Sequence, residues 1–161
     1  MKRFGFSHGE VELDLPDSWE EDREEDGDVG VFCSDAEDAG VLRIRGRVLY
    51  NPNQLVSDDA ATEMLEALAE RMMPGHTHEA EKIDDRTYLV SFAQPLPEHN
   101  PPLIIASWLT ATLAPPHSMP MICYTYTVPG EFAATGATLA ELRLIEAAIR
   151  DAECVIDAIA D

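Results

Sequence analysis

Leu103-Ile104-Ile105-Ala106-Ser107-Trp108-Leu109-Thr110-Ala111-Thr112-Leu113-Ala114 is the stretch on which the reading of this 161-residue chain turns. It is too long and too rich in β-formers for a connection. Its apolar residues fall on both alternating faces, the pattern of a strand covered on both sides. Pro115, Pro116 and Pro120 interrupt the run, because proline brings no N–H to a sheet ladder. Met121-Ile122-Cys123-Tyr124-Thr125-Tyr126-Thr127-Val128 follows and fits the returning arm of an antiparallel pair. This pair predicts the centre of an antiparallel sheet.

Working back towards the N-terminus, Pro95 to Pro102 reads as a stiff loop. Thr87 to Ala93 and His76 to Ile83 read as two strands joined by Asp84-Asp85-Arg86. His76 and His78 then share a strand face and are weak metal candidates, with no third ligand identifiable from sequence. A helix is expected after Asn51-Pro52-Asn53, capped by Ser57, Asp58 or Asp59. Its apolar stripe is Ala61, Met64, Leu65, Leu68 and Met72, and Pro74-Gly75 stops it. Val41 to Tyr50 alternates through its middle. Leu42, Ile44 and Val48 take one face and Arg43, Arg45 and Arg47 the other, since side chains repeat every two residues along a strand. Val29 to Cys33 and Val11 to Leu15 are two further strands. Pro16 ends the latter, and the turn Asp17-Ser18-Trp19 drops an aromatic onto the core edge. From Asp17 to Asp28 eight of twelve residues are acidic, which reads as an exposed loop.

Beyond Val128, Thr138-Leu139-Ala140-Glu141 has the form of a capping box opening a last helix. Leu142, Ile145, Ile149, Ala152, Ile156 and Ile159 form its apolar seam, and Leu144, Ala148 and Val155 widen it. The width favours a helix lying across a sheet over a short coiled-coil seam, although a homodimer face stays open. The whole reads as one α+β domain over residues 1–161, with a mostly antiparallel sheet of about six or seven strands and two main helices packed on it. The expected order is β-β-β-α-β-β-β-β-α.

The formal net charge is −20, from 31 acidic and 11 basic residues, a field that repels nucleic acid and anionic membrane. No run approaches the roughly 20 apolar residues of a membrane span, so membrane insertion is not expected. Met1 to Glu10 carries no apolar signal region. Cys33, Cys123 and Cys154 are odd in number and lack a CxxC spacing, which fits reduced thiols in a cytoplasm. No GxGxxG, GxxxxGK[ST], HExxH or GxSxG occurs, so no cofactor is expected and nothing argues for an enzyme. The arginine stripe allows two readings, cross-strand pairing with acidic neighbours or a site for an anion or acidic peptide. The candidate binding residues are Arg43, Arg45, Arg47, Trp19, Tyr124 and Tyr126, with the His99 loop as a further surface.

An opening strand running into Leu15-Pro16-Asp17-Ser18-Trp19, then Val41-Leu42-Arg43-Ile44-Arg45, then two helices in these positions, resembles the PsbP-like superfamily. That group holds photosystem extrinsic proteins, a Ran-binding nuclear import factor and bacterial cytoplasmic relatives, among them chaperones for secretion-system effectors. The resemblance in element order spans nearly the whole chain, while the local motif covers about ten residues. It implies a non-enzymatic protein-binding, chaperone or accessory protein with another protein as partner. Two alternatives are carried beside it: a small hydrolase or anion-binding enzyme with a pocket near the arginine stripe, and an immunity-type inhibitor.

Overall fold

The computed structural model describes residues 2–6, 11–22, 29–33 and 40–154. Among them, ten strands and two helices make an α+β fold: β1 (Lys2–Phe6), β2 (Val11–Leu15), β3 (Glu20–Asp22), β4 (Val29–Cys33), β5 (Val41–Tyr50), α1 (Asp58–Met72), β6 (Glu81–Lys82), β7 (Thr87–Leu96), β8 (Leu103–Thr112), β9 (Ser118–Pro129), α2 (Gly136–Asp151) and β10 (Glu153–Cys154). A seven-stranded antiparallel sheet runs in the order β3-β4-β5-β9-β8-β7-β6, and β1-β2-β10 form a smaller one.

The expected central pair is present, with β8 and β9 in register from Leu103 opposite Pro129 to Ala111 opposite Met121. Both faces of the sheet are covered. Trp108, Ile122, Tyr124 and Tyr126 point into one core with Leu42 and Ile44 of β5, Leu13 and Leu15 of β2, Trp19, and Ile145 and Ile149 of α2. Leu109, Ala111, Met119 and Met121 point the other way, into a second core under Ala61, Leu65 and Ala69 of α1. Adjacent residues Trp108 and Leu109 thus serve opposite cores, as the period of two requires. Pro120 does not break β9 as the sequence suggests. It sits inside the strand opposite Val48, one position beyond the last β8 pair, where no partner on the β8 side needs its missing N–H.

Several local expectations shift. Ser57 caps α1, its side chain accepting from the Ala60 N–H, and Gly75 turns the chain away at φ +83°, a backbone state suited to glycine. The buried stripe of α1 is Ala61, Leu65 and Ala69, rotated from the expected one, and Met64 stands 44% exposed. Thr135, not Thr138, caps α2; its hydroxyl accepts from the Thr138 N–H. The helix stops at Asp151, and Cys154 pairs with Val11 in β10 instead of continuing the helix. Ile156 and Ile159 of the expected seam lie outside the described residues. Glu20 to Asp22, expected in an acidic loop, form an edge strand on β4; Arg23 to Asp28 lie outside the described residues.

Two carboxylates on α2 hold that helix to the sheet. The Tyr126 hydroxyl donates to Glu141 and accepts from the buried Gly40 N–H at 2.9 Å, and Trp108 Nε1 donates to Glu146 at 3.4 Å. Gly40 lies so close that a Cβ there would meet the Tyr126 ring and the Thr127 carbonyl at 2.6 Å. At the other end of α2, Arg150 makes a two-pronged pair with Glu81 of β6 at 2.9 and 3.2 Å, which holds the Glu81 carboxyl below its usual range.

Candidate binding groove beside α1

The sheet separates the candidate residues into two groups. Trp19 (3% exposed), Tyr124 (1%) and Tyr126 (0%) all lie in the core on the α2 side, where they offer a partner no surface. Strand alternation puts Leu42 and Ile44 with them. It therefore turns Arg43, Arg45 and Arg47 to the opposite, α1 side, opposite Thr125, Cys123 and Met121 of β9 respectively.

Helix α1 packs over β7 and β8, so it does not cover the β5 side of its own sheet face. A cavity of about 290 Å3 remains between the helix and β5. Arg45 and Arg47 enter it from the strand, and Met64, Leu68 and Arg71 from the helix. Leu109 and Met121 are buried beneath. The exposure of Met64 follows from this arrangement, because Met64 faces the gap and not the core. Arg45 and Arg47 are exposed, and among the described residues neither they nor Arg71 has an ion-pair partner within 4.0 Å. Arg43 is half-buried and lies outside the cavity wall. Helix α1 carries its own carboxylates, but two are engaged elsewhere. Glu66 accepts from the Ala80 N–H and Glu70 from the Gly75 N–H, both at 3.0 Å, securing the segment after the helix.

Cys123 also lines the cavity, across the ladder from Arg45. Burial pushes its thiol up, opposed by the Arg45 charge, so the wall offers a neutral thiol and not a thiolate nucleophile. A second cavity of about 320 Å3 opens on the α2 side beside Asp84, Arg86, Thr110, Thr112 and Ile149. Much of its polar lining is already used: Asp84 accepts from the Arg86 and Thr87 N–H groups, and the Thr87 and Thr112 hydroxyls bond to each other at 3.1 Å.

The expected histidine strand does not form; β6 spans only Glu81 and Lys82. His76 is exposed in the preceding segment. The His78 side chain is only 4% exposed, bonds the Met73 carbonyl at 3.0 Å and stands edge-on to Phe92. Its role is to dock the segment after α1. No group of three or more His, Cys, Asp or Glu suited to a metal occurs among the described residues. His99 is exposed, with Nδ1 at 3.0 Å from the Pro101 carbonyl.

The arginine row was legible from sequence because period two is legible. Arg71 was not, since its place beside the row depends on where α1 lands. An arginine in the last turn of a helix whose apolar stripe includes an outlying methionine is the trace that the groove leaves in the sequence.

No family model and no curated protein sequence matches the chain. Solved structures do. A protein of Bacteroides thetaiotaomicron matches at TM-score 0.61 and 17% identity over 95% of this chain, which spans about half (48%) of that protein. The Ran-binding protein Mog1p of Saccharomyces cerevisiae matches at TM-score 0.57 and 13% identity, over 99% of this chain and 98% of that one. A mutant of Mog1 matches at TM-score 0.55 and 12% identity over 96% and 95%. At such identities the likeness is one of fold alone: this chain shares the fold of Mog1p.

Proposed function

We propose that this chain is a non-catalytic binding domain that docks an acidic partner protein on the α1 side of its sheet, acting as an accessory or chaperone to that partner. The observation that carries the reading is the gathering of Arg45, Arg47 and Arg71 at one exposed place with no ion-pair partner among the described residues, in a chain of net charge −20. A protein with 11 basic residues that concentrates three of them, unneutralised, has a local field opposite to its overall one. The fold shared with a Ran-binding protein adds support at the level of architecture alone. A secretion-linked partner belongs to the same reading.

The test is affinity capture from the native host with wild-type chain and with Arg45→Glu. Arg45 is exposed, so charge reversal should leave folding intact. The reading expects one dominant acidic partner with wild type, retention that falls as salt rises, and loss of that partner with Arg45→Glu. Equal recovery of the partner by both chains at low salt removes the arginine face from consideration.

A further inference from the structure

We infer that the groove between α1 and β5 binds a small apolar carboxylate, an aliphatic or aryl acid of about ten non-hydrogen atoms. The inference goes beyond protein docking and does not rest on it. It begins with the chemistry of the wall. Met64, Leu68, Leu109 and Met121 present carbon, and the thiol of Cys123 is held neutral by burial. The charged groups are all cationic: Arg45 and Arg47 on one lip and Arg71 on the other. Ligand pockets commonly combine an apolar body with a few convergent polar groups, and here those groups all attract negative charge.

Size narrows the class. At roughly 30 Å3 per water-sized group, 290 Å3 holds about ten heavy atoms, enough for octanoate or a small benzoate and too little for a long-chain lipid. The planar guanidinium fork takes a carboxylate by two parallel hydrogen bonds, and Arg45 and Arg47 are two residues apart on one strand face, within reach of one head group. A bare phosphate would satisfy the arginines but leave the apolar floor wet. A neutral alcohol would fill the floor but leave three cations without a partner. Only a molecule with both parts uses the whole site. The helix's own Glu66 and Glu70 do not compete, because they are bonded to the segment that follows α1.

The experiment is calorimetric titration of the full chain with sodium octanoate, 1-octanol and inorganic phosphate at low salt. The expected result is one-to-one saturation by octanoate with Kd on the order of tens of micromolar, and at least about tenfold weaker binding of octanol and of phosphate. Arg71→Ala should weaken octanoate about tenfold. Ala67→Trp, at an exposed position of α1 on the groove wall, should abolish it. Arg43→Gln, outside the wall, should leave it within about twofold, as expected for a residue that does not touch the ligand. Saturating octanoate should also slow modification of Cys123 by a thiol reagent while leaving Cys33 unchanged, a readout that holds even if the tryptophan variant folds poorly. Equal binding of octanoate and octanol, or octanoate binding untouched by Arg71→Ala, overturns the site, as does the absence of saturable octanoate binding. Those failures are distinct from failure of the docking reading, which is judged on partner recovery alone.

Discussion

Tyr126→Phe removes one oxygen and almost no volume, so it isolates the polar link between the sheet and α2. Tyr126 is fully buried and its ring packs with Tyr124, Leu42 and Ile145 in the α2-side core, contacts that phenylalanine keeps. Two partners lose the hydroxyl. The Gly40 N–H, which donates to it at 2.9 Å in a buried setting, becomes a buried donor without its acceptor, a cost of about 1–3 kcal/mol. Glu141, to which the hydroxyl donates, is only half-buried, so its loss adds about 0.5–1 kcal/mol, well short of a fully buried charged bond. The expected destabilisation is about 1.5–4 kcal/mol, which for a chain of this size lowers Tm by roughly 3–16 °C. Urea unfolding at neutral pH measures it, with an unchanged m-value showing that the change lies in stability and not in the extent of unfolding. A loss below about 0.5 kcal/mol would refute the reasoning, since it would mean that Gly40 finds another acceptor or that α2 is not held through this oxygen.

Two further predictions follow from the same structure. Trp108→Ala should cost about 3–5 kcal/mol in urea unfolding, as for a large aromatic removed from a packed core, and a loss below about 1 kcal/mol would contradict the central place of β8. The Tyr88 phenol is pushed up to about 12, first by its hydrogen bond to Asp58 at 2.6 Å and then by burial. A folded value above the unfolded one of about 10 means that this contribution to stability is complete below pH 10 and is lost as pH rises from 10 through 12. Titration followed by absorbance near 295 nm, compared between wild type and Asp58→Asn, should show one tyrosine's midpoint moving back towards 10 in the variant; no difference between the two curves would show that Asp58 is not the cause.

How much of this was legible in the sequence depends on how local each signal is. Period two along Leu103 to Thr112 placed Trp108 and Leu109 on opposite faces, and the same period along Val41 to Tyr50 turned the three arginines away from Leu42 and Ile44. Both patterns are written within ten residues. The exposed side of α1 was misread because Met64 and Ala69 both suit a helical stripe, and only the helix's seat on β7 and β8 decides which one is covered. The end of α2 was misread for a stronger reason. The apolar seam continues past Asp151, but Glu153 and Cys154 pair with Glu12 and Val11 of β2, and such a non-local ladder overrides local propensity. The burial of the candidate binding residues Tyr124 and Tyr126 was equally out of reach: nothing in the alternating run says which face α2 will cover. The groove needed Arg71 and Arg45 from different elements to meet, which no spacing rule encodes.

The register of β9 also bears on the order in which the chain can close during synthesis. β9 pairs with β5 over ten residues on one side and with β8 over nine on the other, so it is the splice between the early and late parts of the chain. β8 waits only for the turn after Thr112. β5 emerges from a ribosome long before, with β4 on one edge and its other edge bare until Ser118 to Thr127 has been added. Through that interval Leu42 and Ile44 have no Tyr124 or Tyr126 to pack against, and the loop still to be closed is the longest in the main sheet. Helix α1 and strands β6, β7 and β8 are all made during that wait, and a nascent chain halted before β9 would carry an unpaired, half-apolar strand open to any other extended chain.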